Sequence, residues 1–265
     1  MTEYRKIATL GSSYAAGPGV PPVVNRAAMR SGNNYSHVLS RMIGAELTDL
    51  TVSGATTSTI LDTPQRVGLT KFAPQIASLP ADADLVLVTA AGNDLEYLGS
   101  AIKLGVCFTI DRYTGGRLQR WKPTVPPTVT AQQRDLAATG LARIVTESRL
   151  RAPQARVILV DYLPMVGEPT VPLEDVPFDA ASIEALASVH AQLTGVFADV
   201  AERTRVELVL ASQLGRGHEL GSASPWIQPL QPIYRVAASF HPSTDGMKAV
   251  ATELLRTITK RAGRS

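Results

Sequence analysis

Residues 82 to 94 read DADLVLVTAAGND. Leu85 to Val88 form an unbroken apolar run, bounded by acidic residues on one side and by Gly92-Asn93-Asp94 on the other. A run of this kind marks a strand covered on both faces, as parallel strands in α/β proteins are. Working outward, RKIATLG (5–11) is a second short apolar run ending at glycine, and AELTDLTVSG (45–54) is a strand candidate ending at Gly54. RVILVDYLP (156–164) and RVELVLAS (205–212) complete a set of about five strands.

Helical periods lie between them. In NYSHVLSRMI (34–43), the residues Tyr35, Val38, Leu39 and Met42 recur at helical spacing, and Gly44 ends the pattern as a C-terminal glycine does. Residues 131–150 repeat the spacing with Leu136, Leu141, Ile144 and Val145, residues 180–203 form a long helix, and a last helix begins near Ser243. Met247, Val250, Leu254 and Leu255 share one face of that last helix. Strands alternating with helices imply right-handed crossovers and a parallel sheet with helices on both sides. No linker or internal repeat divides the 265 residues, so the expectation is one α/β domain spanning 1–265.

Composition narrows the function. With 45% hydrophobic and 18% charged residues and a formal charge of +3, the chain is an ordinary globular one with no basic surface of the kind that nucleic acids require. The C-terminal cluster Lys260, Arg261 and Arg264 suits a helix C-terminus. No run approaches the length of a membrane span, and the start MTEYRKIATLGSS has no apolar core for a signal peptide. A single cysteine, Cys107, excludes an internal disulfide and packs as a small apolar residue. The expectation is a cytoplasmic protein without stable membrane insertion.

Two stretches fit no regular element: 105–130 (GVCFTIDRYTGGRLQRWKPTVPPTVT) and 213–236 (QLGRGHELGSASPWIQPLQPIYRV). Long irregular loops are uncommon in compact domains unless they serve a site, so these are expected to wall one, with Trp121, Trp226 and Tyr234 as apolar surfaces. Arg112, Arg117, Arg120 and Lys122 around Trp121 are either solvated surface or a means of steering an anionic substrate.

In an open parallel sheet, ligands bind outside the carboxyl ends of the strands. Here those ends carry Ser12-Ser13, Ser53-Gly54 and Asn93-Asp94, and His241 precedes the last helix. Taken singly they are a turn serine, a turn glycine, a helix cap and a loop histidine. Taken together they supply acyl-transfer chemistry. A serine hydroxyl becomes a nucleophile when a neutral imidazole accepts its proton. The resulting oxyanion needs fixed donors, which the N–H groups of Ser13 and Gly54 and the Asn93 amide provide, each worth about 2.7–4 kcal/mol. His37 and His190 lie in helical segments and are read as structural. His218 belongs to the second long stretch, and no histidine spacing suggests a metal site.

The blocks GSSYAAGPG, TVSGATTS, VTAAGNDL and AASFHP resemble, in order, those of the SGNH hydrolases, also called GDSL-type esterases and lipases. RSGNNY (30–35) and GHELGSASPWI (217–227) are similar to segments of one bacterial branch. The resemblance implies a flavodoxin-like three-layer αβα sandwich around a five-stranded parallel sheet. It also implies a cofactor-free, metal-free serine esterase acting on a small-molecule ester, with Ser13 as nucleophile, His241 as base, and Ser13, Gly54 and Asn93 forming the oxyanion hole. An acyltransferase or thioesterase with the same residues, or a non-catalytic binding relative, are the alternatives.

Four departures from the family pattern stand out. Ser12 replaces the usual aspartate of GDS. Ala91 stands where a glycine is usual, which is tolerable if the backbone there has negative φ. Ala238 replaces the aspartate three residues before the histidine, so a backbone carbonyl near Ala238 is expected to orient His241, with Asp245 instead capping the last helix. Finally, Ala28, Val52 and Gly221 occupy positions near cysteines of secreted relatives, which agrees with a reducing compartment.

Overall fold

The computed structural model describes residues 4–121 and 124–262. Lys122 and Arg264 of the basic groups therefore lie outside the described residues. In chain order the strands are β1 (Lys6–Gly11), β2 (Val23–Asn25), β3 (Arg30–Ser31), β4 (Glu46–Asp49), β5 (Gln65–Val67), β6 (Thr70–Phe72), β7 (Leu85–Thr89), β8 (Arg156–Val160) and β9 (Glu207–Val209). The α-helices are α1 (Ser13–Ala16), α2 (Tyr35–Ile43), α3 (Thr57–Leu61), α4 (Tyr97–Tyr113), α5 (Arg117–Trp121), α6 (Ala131–Arg151), α7 (Ala180–Thr204), α8 (Ala211–Leu214) and α9 (Thr244–Ala262).

Five strands form one parallel sheet in the order β4-β1-β7-β8-β9, and the two short hairpins β2-β3 and β5-β6 stand apart from it. Numbered among themselves, the sheet strands run 2-1-3-4-5, the flavodoxin-like order. The expected fold class is therefore the observed one. Ile7 pairs with Leu47 on one side and with Leu85 on the other. All five residues of β7 are buried, as the apolar run at 85–88 requires. With right-handed crossovers, reversal of chain direction across the sheet at β1 sends α2 to one face and α3, α6 and α7 to the other, and α9, after the last strand, returns to the α2 face. α2 packs on α9, while α6 packs on α3 and α7. Leu39, Leu141, Ile144, Val145, Leu193, Phe197 and Leu254 are fully buried in this arrangement, each such side chain contributing about 1.5–3 kcal/mol of transfer free energy.

The periodic reading errs at the helix edges. Leu136 is 62% exposed, because the buried stripe of α6 passes through Ala137, Leu141, Ile144 and Ser148 instead. The strand expected to reach Gly54 ends at Asp49, and Gly54 belongs to the turn that follows. The larger correction concerns 105–130. Most of its first half is regular: α4 continues to Tyr113 and α5 covers Arg117–Trp121. Its apolar residues Val106, Phe108 and Ile110 fall around the helix rather than along one stripe, so no period announces it. The 213–236 stretch is largely irregular, with a 3₁₀ turn over Ile233–Ala238.

The end of β1 is fixed by a side chain from far away. Gln75, itself buried, accepts from Gly11 N at 2.8 Å and donates to Gly11 O at 2.9 Å. A Cβ at Gly11 would lie 2.4 Å from Thr89 O, so glycine is required where β1 meets β7. Gln75→Ala leaves two buried backbone groups without these partners, and should lower unfolding free energy by roughly 2 kcal/mol in chemical denaturation. A loss below about 0.5 kcal/mol would contradict the clamp.

Candidate active site

Because both faces of the sheet are covered, residues able to meet a ligand emerge where the strands end. After β1, Ser12 donates its backbone N–H to Thr89 O at 3.0 Å, and Ser13 opens the one-turn helix α1. Ser13 is 6% exposed, and among the described residues neither its hydroxyl nor its backbone N–H has a hydrogen-bond partner. After β4, Gly54 takes φ +81° at an exposed turn, a conformation natural for glycine, and its N–H is also free of acceptors among the described residues. After β7, Asn93 donates its side-chain amide to Ala55 O at 2.7 Å. Asp94 accepts from Thr57 Oγ1 at 2.6 Å and from Thr57 N at 3.1 and 3.2 Å. These latches bring the Gly54 turn and the Asn93 turn together, and they leave the second amide hydrogen of Asn93 available.

Between Thr89 and Asn93 the chain is tight. Ala91 has φ +71°, outside the negative range at which alanine is comfortable, and a left-handed alanine costs about 1–2 kcal/mol. The neighbouring Gly92 shows why the turn is so constrained: a Cβ there would stand 2.6 Å from the Tyr162 hydroxyl oxygen.

His241 lies at the turn before α9 and is 3% exposed. Its Nδ1 is 2.9 Å from Ser239 O. A carbonyl only accepts, so Nδ1 carries the proton and Nε2 presents a lone pair. The orienting carbonyl is thus one residue beyond the expected Ala238, whose own carbonyl makes a lesser contribution. The displacement follows from Phe240, whose left-handed φ of 60° curls the turn and turns the Ser239 carbonyl toward the ring. Nε2 is buried and has no hydrogen-bond partner among the described residues. Burial pushes the His241 pKa down to about 4, against the smaller opposing effect of the backbone carbonyls. Asp245 falls in the first turn of α9, where its charge suits the helix N-terminus.

Several contacts hold His241 beside the Ser13 turn. The ring of Tyr14, next to Ser13, lies tilted against His241 at a centroid distance of 5.8 Å, and its hydroxyl donates toward Phe240 O at 3.4 Å. Gln228 donates to Pro18 O at 2.9 Å and to Pro242 O at 3.0 Å, tying the two loops through one amide. No hydrogen bond joins Ser13 to His241 in this structure. Catalytic hydrogen bonds often tighten only when substrate is bound.

Sequence reasoning missed Gln75, Tyr162, Gln228 and Ser239. Each is an isolated residue whose partner lies far along the chain or in a turn with no sequence signature. The other candidates divide. Trp226 is half-buried and stacks on His218 with centroids 3.7 Å apart. Trp121 and Tyr234 are 83% and 81% exposed, so they do not form the apolar walls expected of them. His190 donates from Nε2 to Tyr162 O at 2.8 Å, and His37 lies 3.5 Å from Asp49. Cys107 is free and half-buried, and Arg120 donates to Gly115 O at 3.2 Å within its own turn. Among the described residues no group of three or more His, Cys, Asp or Glu is arranged to hold a metal ion. Beside Val52, Ser53 N donates to Ala28 O at 3.0 Å, so a backbone hydrogen bond spans that junction.

A flavodoxin-ordered sheet with serine, glycine, asparagine and histidine gathered at its carboxyl edge is the architecture of an SGNH-type hydrolase. The sequence pattern of the GDSL-like Lipase/Acylhydrolase family matches residues 9–249, and the chain belongs to that family. It is 32% identical over 228 residues to Lipase 2 of Streptomyces coelicolor, covering 83% of this chain and 75% of that one. Its fold is similar to that of an extracellular lipase from Streptomyces rimosus, with a TM-score of 0.72 and 21% identity over 95% of this chain and 99% of that one. Phospholipase A1 from Streptomyces albidoflavus gives the same TM-score at 17% identity, over 96% and 99% of the two chains. Nothing among these relatives supports the cytoplasmic setting expected from the cysteine content. Among the described residues, no helix is long and apolar enough to cross a membrane.

The depressed His241 pKa links protonation to stability. An unfolded chain binds this proton near pH 6.5, the folded chain only near 4, so between those values the unfolded state holds more protons and stability falls as pH falls. The wild type should lose up to ~3 kcal/mol relative to His241→Asn between pH 6.5 and 4, measured by denaturation at stepped pH. Parallel curves for the two proteins would refute the burial of a neutral imidazole.

Proposed function

We propose that the protein is a serine-dependent carboxylic ester hydrolase acting on small-molecule esters through a Ser13–His241 dyad. The observation that carries this reading is the state of His241: Nδ1–H engaged by Ser239 O, Nε2 buried and unpartnered, and the ring neutral at physiological pH. A ring in that state is a base lacking only its proton donor. The Ser13 hydroxyl is the free donor of the adjacent turn.

In the proposed reaction Ser13 Oγ attacks the ester carbonyl carbon while His241 Nε2 takes the hydroxyl proton. The tetrahedral oxyanion is met by the N–H groups of Ser13 and Gly54 and the free amide hydrogen of Asn93. Collapse breaks the carbonyl–alkoxy bond, and the imidazolium hands its proton to the departing alcohol. Water then attacks the acyl-serine with His241 again as base, releasing the carboxylic acid and restoring Ser13. No carboxylate contributes to the His241 pKa, so a backbone dipole alone stabilises the imidazolium. This is weaker than the support of a charged acid. A cavity of about 820 Å³ lies along α4, bordered by Phe108, Arg112, Leu173 and Pro177. Phe108 of its lining is one turn beyond Gly105, against which the Phe240 ring packs.

Fluorophosphonate labelling with intact-mass detection tests the reading. A single adduct is expected on the wild type, abolished in Ser13→Ala and slowed at least ~100-fold in His241→Ala. No adduct on the wild type under forcing conditions would overturn it. Because the base is active only when neutral, kcat/KM for a chromogenic ester should fall on the acid side with a midpoint near 4 and be flat from about pH 5 to neutrality. A midpoint above 6 would mean that His241 is not buried in the working enzyme.

A further inference from the structure

We propose that Tyr162 is a positioning residue that ties the nucleophile turn to the oxyanion turn through its phenolic hydroxyl. The proposal rests on the reading of Ser13 and Asn93 as catalytic groups. Tyr162 follows β8 and is fully buried. Its hydroxyl oxygen accepts the Gly92 backbone N–H at 3.2 Å and lies 3.1 Å from Ser12 Oγ. With Gly92 donating to that oxygen, the phenolic proton is available for Ser12. Burial pushes its pKa upward, so the proton is retained at any working pH.

The two contacts fall on the residues immediately before Ser13 and before Asn93. They also fall at two of the chain's departures from the family pattern: Ser12 itself, and the 91–92 peptide, where Ala91 is held at φ +71°. An ionised aspartate at position 12 would need charge compensation in a site only 1% exposed, whereas a hydroxyl paired with a phenol is neutral and satisfied. The ring has little freedom to follow the turns it holds. It packs on Tyr14 at 4.5 Å, Phe197 at 6.0 Å and Tyr97 at 6.4 Å, and its carbonyl is held by His190 Nε2 at 2.8 Å. The space at Gly92 is fitted to the phenol, since any side chain there meets it. Tyr162 thus refers both the Ser13 N–H and the Asn93 amide to one rigid point of the core.

Steady-state kinetics on Tyr162→Phe, Ser12→Ala and the double variant test this, with amide hydrogen exchange at Gly92 as a readout independent of turnover. Tyr162→Phe should lower kcat about 10- to 100-fold with KM changed less than about 2-fold, because misplacing transition-state donors leaves ground-state binding alone. Gly92 exchange should accelerate at least 10-fold by the same loss of its acceptor. Ser12→Ala should lower kcat by a smaller factor, and the double variant should be no slower than Tyr162→Phe. A lower melting temperature with unchanged kcat, or unchanged Gly92 exchange, would overturn the proposal and leave Tyr162 a core residue. If Tyr162→Phe does not fold, Ser12→Ala decides: unchanged kcat overturns the link. Failure of the function itself is recognised separately, as a wild type that neither hydrolyses esters nor takes up the fluorophosphonate, and that result also removes the catalytic role of Tyr162.

Discussion

The structure depends on a sheet whose strands are parallel and covered on both faces. Such strands have no wet face on which to display reactive groups, so chemistry is confined to the turns at their carboxyl ends. Those turns must hold their shape with little regular hydrogen bonding of their own. Here side chains do it: Gln75 grips both backbone groups of Gly11, Asn93 and Asp94 latch onto Ala55 and Thr57, and Gln228 joins Pro18 to Pro242. Each is an amide or carboxylate bonded to backbone, which fixes a loop without adding a mobile charge to the site.

The histidine illustrates the same economy of charge. Where a carboxylate would hold the ring by ion pairing, the chain uses a carbonyl presented by the left-handed Phe240 turn. The tautomer is equally well defined, because a carbonyl can accept but never donate. What changes is the energy of the protonated ring, which receives a dipole instead of a full charge in a buried setting. The low resting basicity of His241 follows from that burial, with only the backbone carbonyls opposing it.

Much of this was legible in the sequence. The unbroken run at 85–88 called for a doubly covered strand, and glycine, serine and asparagine at strand ends pointed to that edge of the sheet as the candidate site. What escaped detection had no local signature. Gln75 and Tyr162 act on residues 64 and 150 positions away, across contacts that only the closed fold creates. The second half of α4 escaped because Val106, Phe108 and Ile110 fall around the helix, so the stripe of its first half is not continued there. Alanine is comfortable only at negative φ, yet Ala91 is left-handed. The tertiary contacts of Gly92 and Asn93 override the preference of one residue. The placement of the orienting carbonyl at Ser239 rather than Ala238 is likewise a matter of a single φ angle.

The junction between Ala28 and Ser53 has a consequence for how the protein comes apart. It is closed by a backbone hydrogen bond and apolar packing, with no covalent bridge. A cross-link at such a place restricts the denatured ensemble and survives transient opening, whereas a hydrogen bond contributes only while both segments are in place. The Gly54 turn is therefore as ordered as the fold around it and no more. Oxidants and reductants leave its closure untouched, which rests on noncovalent contacts alone.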